Sequence, residues 1–234
     1  MCNTQCLLAL VALYVGLAHS WDIAVGLEDQ LIFYTDGNKT NTMNLFHRNL
    51  TALALDEVHN TMLYVDKQSN NDSICGFNLH SEENKCFIER NGRNIHSIAF
   101  DPATETLFFT DTNDNSINWI SLKPGSVNNF YGNLLITMDD QTPSDIAVDS
   151  CRGYIYWINT NNNYNASIER ARLNGSQREI LNKSFEQYDV MSLVIDPQTR
   201  NIYYFDGIGK ENSYAHEYLN SVDLDGENEL IKQE

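Results

Sequence analysis

Carboxylates are the commonest side chains here that could do chemistry: the chain carries 32 Asp and Glu against 15 Lys and Arg. Several of them recur at fixed spacing. Aspartates end the phrases "LALD" (Asp56), "IAFD" (Asp101), "IAVD" (Asp149) and "LVID" (Asp196), and ten residues after each stands a second polar residue, Asp66, Asp111, Asn159 or Asp206. An earlier phrase, "LIFYTD", ends at Asp36. Such carboxylates can bind a cation, move a proton, or accept backbone N–H groups at a turn. Repetition favours the third role, because a catalytic site is singular. Asp36, Asp66, Asp111, Asn159 and Asp206 are therefore read as residues that tie turns.

Other enzyme signatures are missing from the sequence. The six histidines, His19, His47, His59, His80, His96 and His216, never lie within four residues of one another, so no paired zinc-ligand motif exists. There is no GxSxG, P-loop or GxGxxG. The stretch from Asp111 to Leu122 partly mimics a calcium loop, but Ser116 stands where that loop needs Gly and Leu122 where it needs Glu. No catalytic residue, metal ligand or cofactor is assigned. One enzymatic alternative stays open, a lactonase-type propeller hydrolase with an axial metal held by Asp56, Asp101, Asp149 and Asp196.

The elements that position these residues form an internal repeat. Between the first aspartates the periods are 45, 48 and 47 residues. Each repeat continues with a third apolar segment ("ICGFNL", "INWISL", "IERARL", "LNSVDL") and a fourth ("KCFIE", "NLLIT", "REIL", "ELIK"). Four short strands joined by turns, repeated about every 46 residues, are the signature of propeller blades. The expected fold is all-β, a β-propeller with repeats near 21–52, 53–97, 98–145, 146–191 and 192–234. The first strand of each repeat has a small residue at its middle, suited to a crowded axis. The second holds an aromatic at a fixed place: Tyr34, Tyr64, Phe109, Trp157 and Tyr204. A wide ring there would fill the gap between adjacent twisted sheets.

With "FYTD", "YVD", "FFTD", "YWIN" and "YYFD" followed by "LNG" or "LDG", the sequence resembles the YWTD, or class B, repeats of low-density lipoprotein receptor relatives, over roughly Trp21 to Ile231. The resemblance implies a six-bladed extracellular propeller that binds ligands without catalysis, often beside EGF-like modules. A narrower likeness, to an insect single-pass surface protein, implies a role in germ-cell development, in oogenesis and spermatogenesis. The sequence departs from that pattern in showing neither EGF-like cysteines nor a membrane span. Six blades do not fit. Asp36 and Asp56 are 20 residues apart where later repeats use 35 or more, so the first unit has room for about one strand fewer. Four to five blades, an incomplete propeller, are expected, with EGF-like modules and a membrane span belonging to a longer form.

The compartment is read from the N-terminus, the sequons and the cysteines. Cys6 to Leu17 is an uncharged apolar run, too short to span a membrane, and Ala18-His19-Ser20 suits a signal peptidase. A signal peptide over 1–20 is expected, giving a secreted or cell-surface protein. Asn-x-Ser/Thr sequons at Asn38, Asn49, Asn71, Asn165, Asn174 and Asn182 would then carry glycans. Asn49 and Asn182 stand close to strands, the other four in loops. Cys75 and Cys86 fall opposite each other in the third and fourth strands of one repeat, within disulfide reach; Cys151 has no obvious partner. The net charge of −17 argues against nucleic acid and anionic membrane surfaces and leaves a basic extracellular protein ligand or a cation open. A structural spacer within a larger receptor is the other non-enzymatic alternative.

Overall fold

The computed structural model describes residues 10–13, 23–27, 29–45, 49–67, 72–89, 92–126, 132–161, 166–185, 190–196, 199–208, 216–226 and 229–232. The described elements are all β-strands, arranged in five four-stranded antiparallel sheets. The chain divides into two compact units, Met1–Gly92 and Arg93–Glu234.

The first unit holds two sheets. One is β1 (Leu10–Leu13), β2 (Ile23–Leu27), β3 (Gln30–Thr35) and β4 (Asn38–Asn44); the other is β5 (Leu50–Asp56), β6 (Thr61–Asp66), β7 (Ser73–Asn78) and β8 (Asn84–Ile88). The second unit holds three. They are β9 (Ile95–Asp101) to β12 (Asn133–Thr137) through β10 (Thr106–Asp111) and β11 (Ser116–Ser121); β13 (Gln141–Asp149), β14 (Tyr154–Asn161), β15 (Ala166–Arg172) and β16 (Glu179–Phe185); and β17 (Val190–Asp196), β18 (Asn201–Ile208), β19 (His216–Asp223) and β20 (Glu229–Lys232).

In four sheets the strands follow the repeat: the aspartate-terminated strand at one edge, the aromatic strand second. The first sheet is offset by one strand. Its aromatic strand, β3, is third, and β4 is followed directly by β5 of the next sheet. The shortened first repeat thus supplies three strands, and the fourth is β1, which pairs with the far edge of β2, Leu13 opposite Ile23. Leu10–Leu13 lies inside the segment read as a signal peptide. Cleavage after Ser20 would remove this strand, so the paired β1 and a processed N-terminus exclude each other in one mature molecule.

One packing rule runs through both units. Side chains alternate across a strand, so each sheet has two faces. In the second unit, Tyr156, Ile158 and Ile168 of the middle sheet pack on Leu193, Ile202, Tyr204 and Val222 of the next. Ala99, Phe108 and Ile117 pack on Ile146, Ile155, Trp157 and Ala171 in the same manner. In the first unit Ala24 and Phe33 meet Met62, Tyr64, Cys75 and Phe77. The motif aromatics Tyr64, Trp157 and Tyr204 are buried in these seams and Phe109 is fully buried, whereas Tyr34 is half-buried.

The last sheet breaks the rule on one face. Val194, Phe205 and Leu219 are 57%, 44% and 40% exposed, although Ile158 and Ile168, which hold the places of Phe205 and Leu219 one sheet earlier, are fully buried. Burial should therefore decide the cost of a charge at this motif position. Ile158→Asp should destabilise the protein by about 3 kcal/mol or more. Phe205→Asp should change stability by less than about 1 kcal/mol. Urea denaturation of the two variants checks this; equal losses would refute the packing rule.

Candidate functional site

The repeated carboxylates are the chemical candidates the sequence offers. Those ending the edge strands hold turns. Asp56 accepts the His59 N–H at 3.0 Å and lies 2.7 Å from His59 Nδ1. Asp101 accepts the Thr104 N–H at 3.2 Å and also the Thr104 hydroxyl. Asp149 accepts the Arg152 N–H at 3.2 Å, and Asp196 the Thr199 hydroxyl at 2.6 Å. These are the four residues of the axial-metal alternative, and each faces its own turn. Among the described residues no three His, Cys, Asp or Glu side chains form a group able to hold a metal ion.

The aspartates after the aromatics act similarly but reach further. Asp66 accepts the Asn49 N–H at 2.9 Å. Asp111, fully buried, accepts the Asn113 N–H at 3.0 Å and the guanidinium of Arg93 at 2.6 Å. Asp36 has a left-handed backbone, φ 50°, just past the end of β3. Asp206 lies in β18 opposite Val190.

Asn159 takes the aspartate's place in one repeat, and its surroundings explain the exchange. Its Nδ2 donates to Glu169 Oε1 at 2.9 Å and to Gln141 Oε1 at 2.7 Å. Glu169 is fully buried and also accepts from Arg178 Nε at 2.7 Å. An aspartate at 159 would set two carboxylates against each other. Asn159→Asp should cost about 2 kcal/mol at neutral pH, because one of two adjacent carboxylates must take up a proton. The proton-binding pKa of that pair is raised in the folded state, so the native variant binds more protons than its unfolded chain. The loss should shrink as pH falls through the carboxylate range, which denaturation at pH 7 and pH 4.5 would show.

A further carboxylate stands outside the repeated set. Asp145, near the middle of β13, is buried and connects three sheets. Its Oδ1 accepts the Ser97 hydroxyl of β9; its Oδ2 accepts the Ser192 hydroxyl at 3.0 Å and the Leu193 N–H at 2.8 Å, both from β17. Thr110 joins the belt by donating to the Ser144 carbonyl at 2.7 Å. A signal was present: four residues before each edge-strand aspartate stand Ala52, Ser97, Asp145 and Ser192, polar in three of the four repeats. Asp145→Ala should cost about 3 kcal/mol, since buried donors on both sides lose their acceptor. Ser97→Ala or Ser192→Ala should each cost about 1 kcal/mol by denaturant titration.

At the rim, the second and third sheets of the second unit are clasped by Arg170. Its guanidinium lies 4.8 Å from the Tyr154 ring centroid, bonds Glu179, and reaches the Leu224 carbonyl and Asp225 Oδ1, the last at 3.1 Å. Burial opposes the Arg170 charge, but bonds to Glu179 and Asp225 hold its pKa above the ordinary value. Burial also raises the Tyr156 phenol, with Arg170 acting against it.

Two grooves meet at Leu134, which is 63% exposed on β12: one lies on the Ser116 and Asn118 side of the first sheet of this unit, the other between its Phe108 and Trp119 side and the β15–β16 turn of the next sheet. One, with a volume of about 540 Å³, is polar and lined by Arg93, Asp114, Ser116, Asn118, Asn133 and Thr137 among others. The second, about 440 Å³, is floored by Phe108, Trp119, Leu135 and Leu173 and edged by Thr104, Thr106 and Asn174.

The remaining sequence candidates are placed as follows. Cys75 and Cys86 face each other in register and are disulfide-bonded. Cys151 is an exposed free thiol in the turn after Asp149. Asn38 opens β4 and is exposed, Asn49 is exposed just before β5, Asn174 is exposed at the β15–β16 turn, and Asn182 lies in β16 opposite Ile168. Asn71 and Asn165 lie outside the described residues.

Set beside known structures, this architecture belongs to the β-propeller class. It is similar to a chain of a nidogen/laminin complex, with a TM-score of 0.71 and 18% identity, covering 86% of this chain and 73% of that one. A TolB from Acinetobacter baumannii gives 0.62 at 15% identity over 92% and 49% of the two chains. Hydrazine synthase of Kuenenia stuttgartiensis gives 0.62 at 11% identity over 86% and 59%. These likenesses concern the fold, which hosts unrelated activities. No family model matches the sequence. In sequence the chain is similar to protein cueball: 27% identical over 214 residues to that of Drosophila willistoni, covering 86% of this chain and 32% of the relative. The Drosophila virilis protein is 29% identical over 197 residues, with 80% and 30% covered. The chain thus spans about a third of the length of these curated relatives. Among the described residues no helix is long and apolar enough to cross a membrane.

Proposed function

We propose that this chain is a non-enzymatic binding module of the low-density lipoprotein receptor class B type, working outside the cell and engaging a protein ligand. The observation that carries this reading is the polar groove on the outer face of β11 and β12. It lies on a scaffold whose repeated carboxylates are engaged in turns, so its lining is held in place while remaining open to a partner. Asp114, 67% exposed at the side chain, and Asn133 offer acceptors to a basic segment, in keeping with the net charge of −17. The similarity to cueball and to a nidogen/laminin chain supports an extracellular, receptor-like role, and the cueball likeness extends the proposal to germ-cell development. The signal peptide over 1–20 and glycans at the sequons belong to the same reading.

The full chain, tagged at its C-terminus and made in insect cells, tests it. The reading predicts secretion with Trp21 as the first residue. It also predicts that chemical cross-linking on intact cells recovers a surface or matrix protein with the wild type and not with Asn133→Arg or Asp114→Arg, at unchanged melting temperature. Retention inside the cell with Met1 intact would remove the extracellular reading. Equal recovery by the groove variants would remove the groove as the binding surface.

A further inference from the structure

The apolar groove beside Leu134 is the more unusual of the two, because its floor is aromatic and aliphatic and it is open to solvent. Exposed apolar area of this kind calls for a cover. The neighbouring seam shows how this chain covers the same place. There, the turn residue Asp225 is seated over the preceding sheet and bound by Arg170 and Arg200, the latter at 2.8 Å. Register places Trp119 where Arg170 stands one sheet later: Trp119 pairs with Phe108, and Arg170 with Tyr156. The turn residue matching Asp225 is Asn174, since each precedes a glycine seated on the adjacent outer strand. Gly175 (φ +79°) would place a Cβ 3.0 Å from the Leu135 carbonyl, and Gly226 (φ +79°) one 2.9 Å from that of Leu181. The Arg–Asp clasp of one seam is therefore replaced in the other by a tryptophan and an asparagine.

That asparagine opens the sequon Asn174-Gly175-Ser176. Its carboxamide oxygen accepts the Ser176 N–H at 3.0 Å and the Ser176 hydroxyl at 2.7 Å. These bonds use the oxygen and not the nitrogen to which a glycan attaches. We propose that an N-linked glycan on Asn174 lays its first N-acetylglucosamine over Trp119 and Leu134 and completes this seam as the Arg170–Asp225 clasp completes the next. The proposal rests on the secretory reading above. Attachment joins Asn174 Nδ2 to the sugar C1 carbon, breaks the C1–oxygen bond of a polyprenyl-diphosphate-linked oligosaccharide, and releases diphosphate carrier and the amide proton. A pyranose suits the groove because its C–H face meets the indole and leucine floor while its hydroxyl edge meets Thr104 and Thr106. The polar groove on the other side of Leu134 is left open for a protein ligand.

The test uses the full chain secreted from insect cells with oligomannose glycans, and reads hydroxyl-radical labelling of Trp119 and Leu134 by peptide mass spectrometry. Trimming with an endoglycosidase that leaves one sugar on each asparagine should keep both residues protected. Complete removal by an amidase under native conditions, or the Ser176→Ala substitution, should raise their labelling at least threefold. Labelling unchanged by complete removal would overturn the proposal. So would a bare Asn174 in protein glycosylated at its other sequons, with the secretory reading left standing. Protein bare at every sequon would overturn both.

Discussion

The arrangement of the second unit turns on a single buried carboxylate. Asp145 has two oxygens and directs one toward β9 and the other toward β17, so one side chain fixes the inner strands of three consecutive sheets. A buried charge is tolerated only when its acceptor sites are filled, and here serine hydroxyls and backbone N–H groups fill them. The bonds are directional, whereas the surrounding seams are built from interchangeable aliphatic and aromatic groups. Slip of one edge strand would leave the carboxylate facing apolar side chains, so the polar belt selects a register that the apolar seams alone would leave loosely defined.

Around that belt, alternation across each strand lets the middle sheet of the second unit present one face to the sheet before it and one to the sheet after. The seams thereby accept variation as long as volume is conserved. Trp157, Phe109, Tyr64 and Tyr204 fill one place with rings of different size, and the turn carboxylate follows each two residues later or is exchanged for Asn159. That exchange is local electrostatics: Glu169 on the neighbouring strand needs a donor, and an amide supplies one where a carboxylate would repel. The core is repetitive for this reason, and individuality collects at the outer strands and turns, where Leu134, Asp114 and Asn174 are found.

Much of this was legible in the chain itself. The ten-residue spacing from Asp101 to Asp111 and its counterparts fixes a hairpin with its turn between, and the alternation of "TLFFTD" fixes which side chains share a face. The deficit of residues between Asp36 and Asp56 showed that the first repeat lacks a strand. The pairing of Cys75 with Cys86 followed from two adjacent antiparallel strands. All of these are short-range consequences of strand geometry, which sequence spacing encodes directly.

What the tertiary structure alone decided depends on contacts between residues far apart in the chain. Asp145 is 48 residues from Ser97 and 47 from Ser192, and a polar residue in a strand becomes a tie only when its partners are brought alongside. The pairing of Leu10–Leu13 with β2 in the unprocessed chain is likewise beyond local pattern, because nothing in an apolar run of four residues names the strand it will meet. The substitution of Trp119 and Asn174 for Arg170 and Asp225 has the same origin. Each residue is unremarkable in its own segment, and their equivalence exists only once register and seam place them over one another.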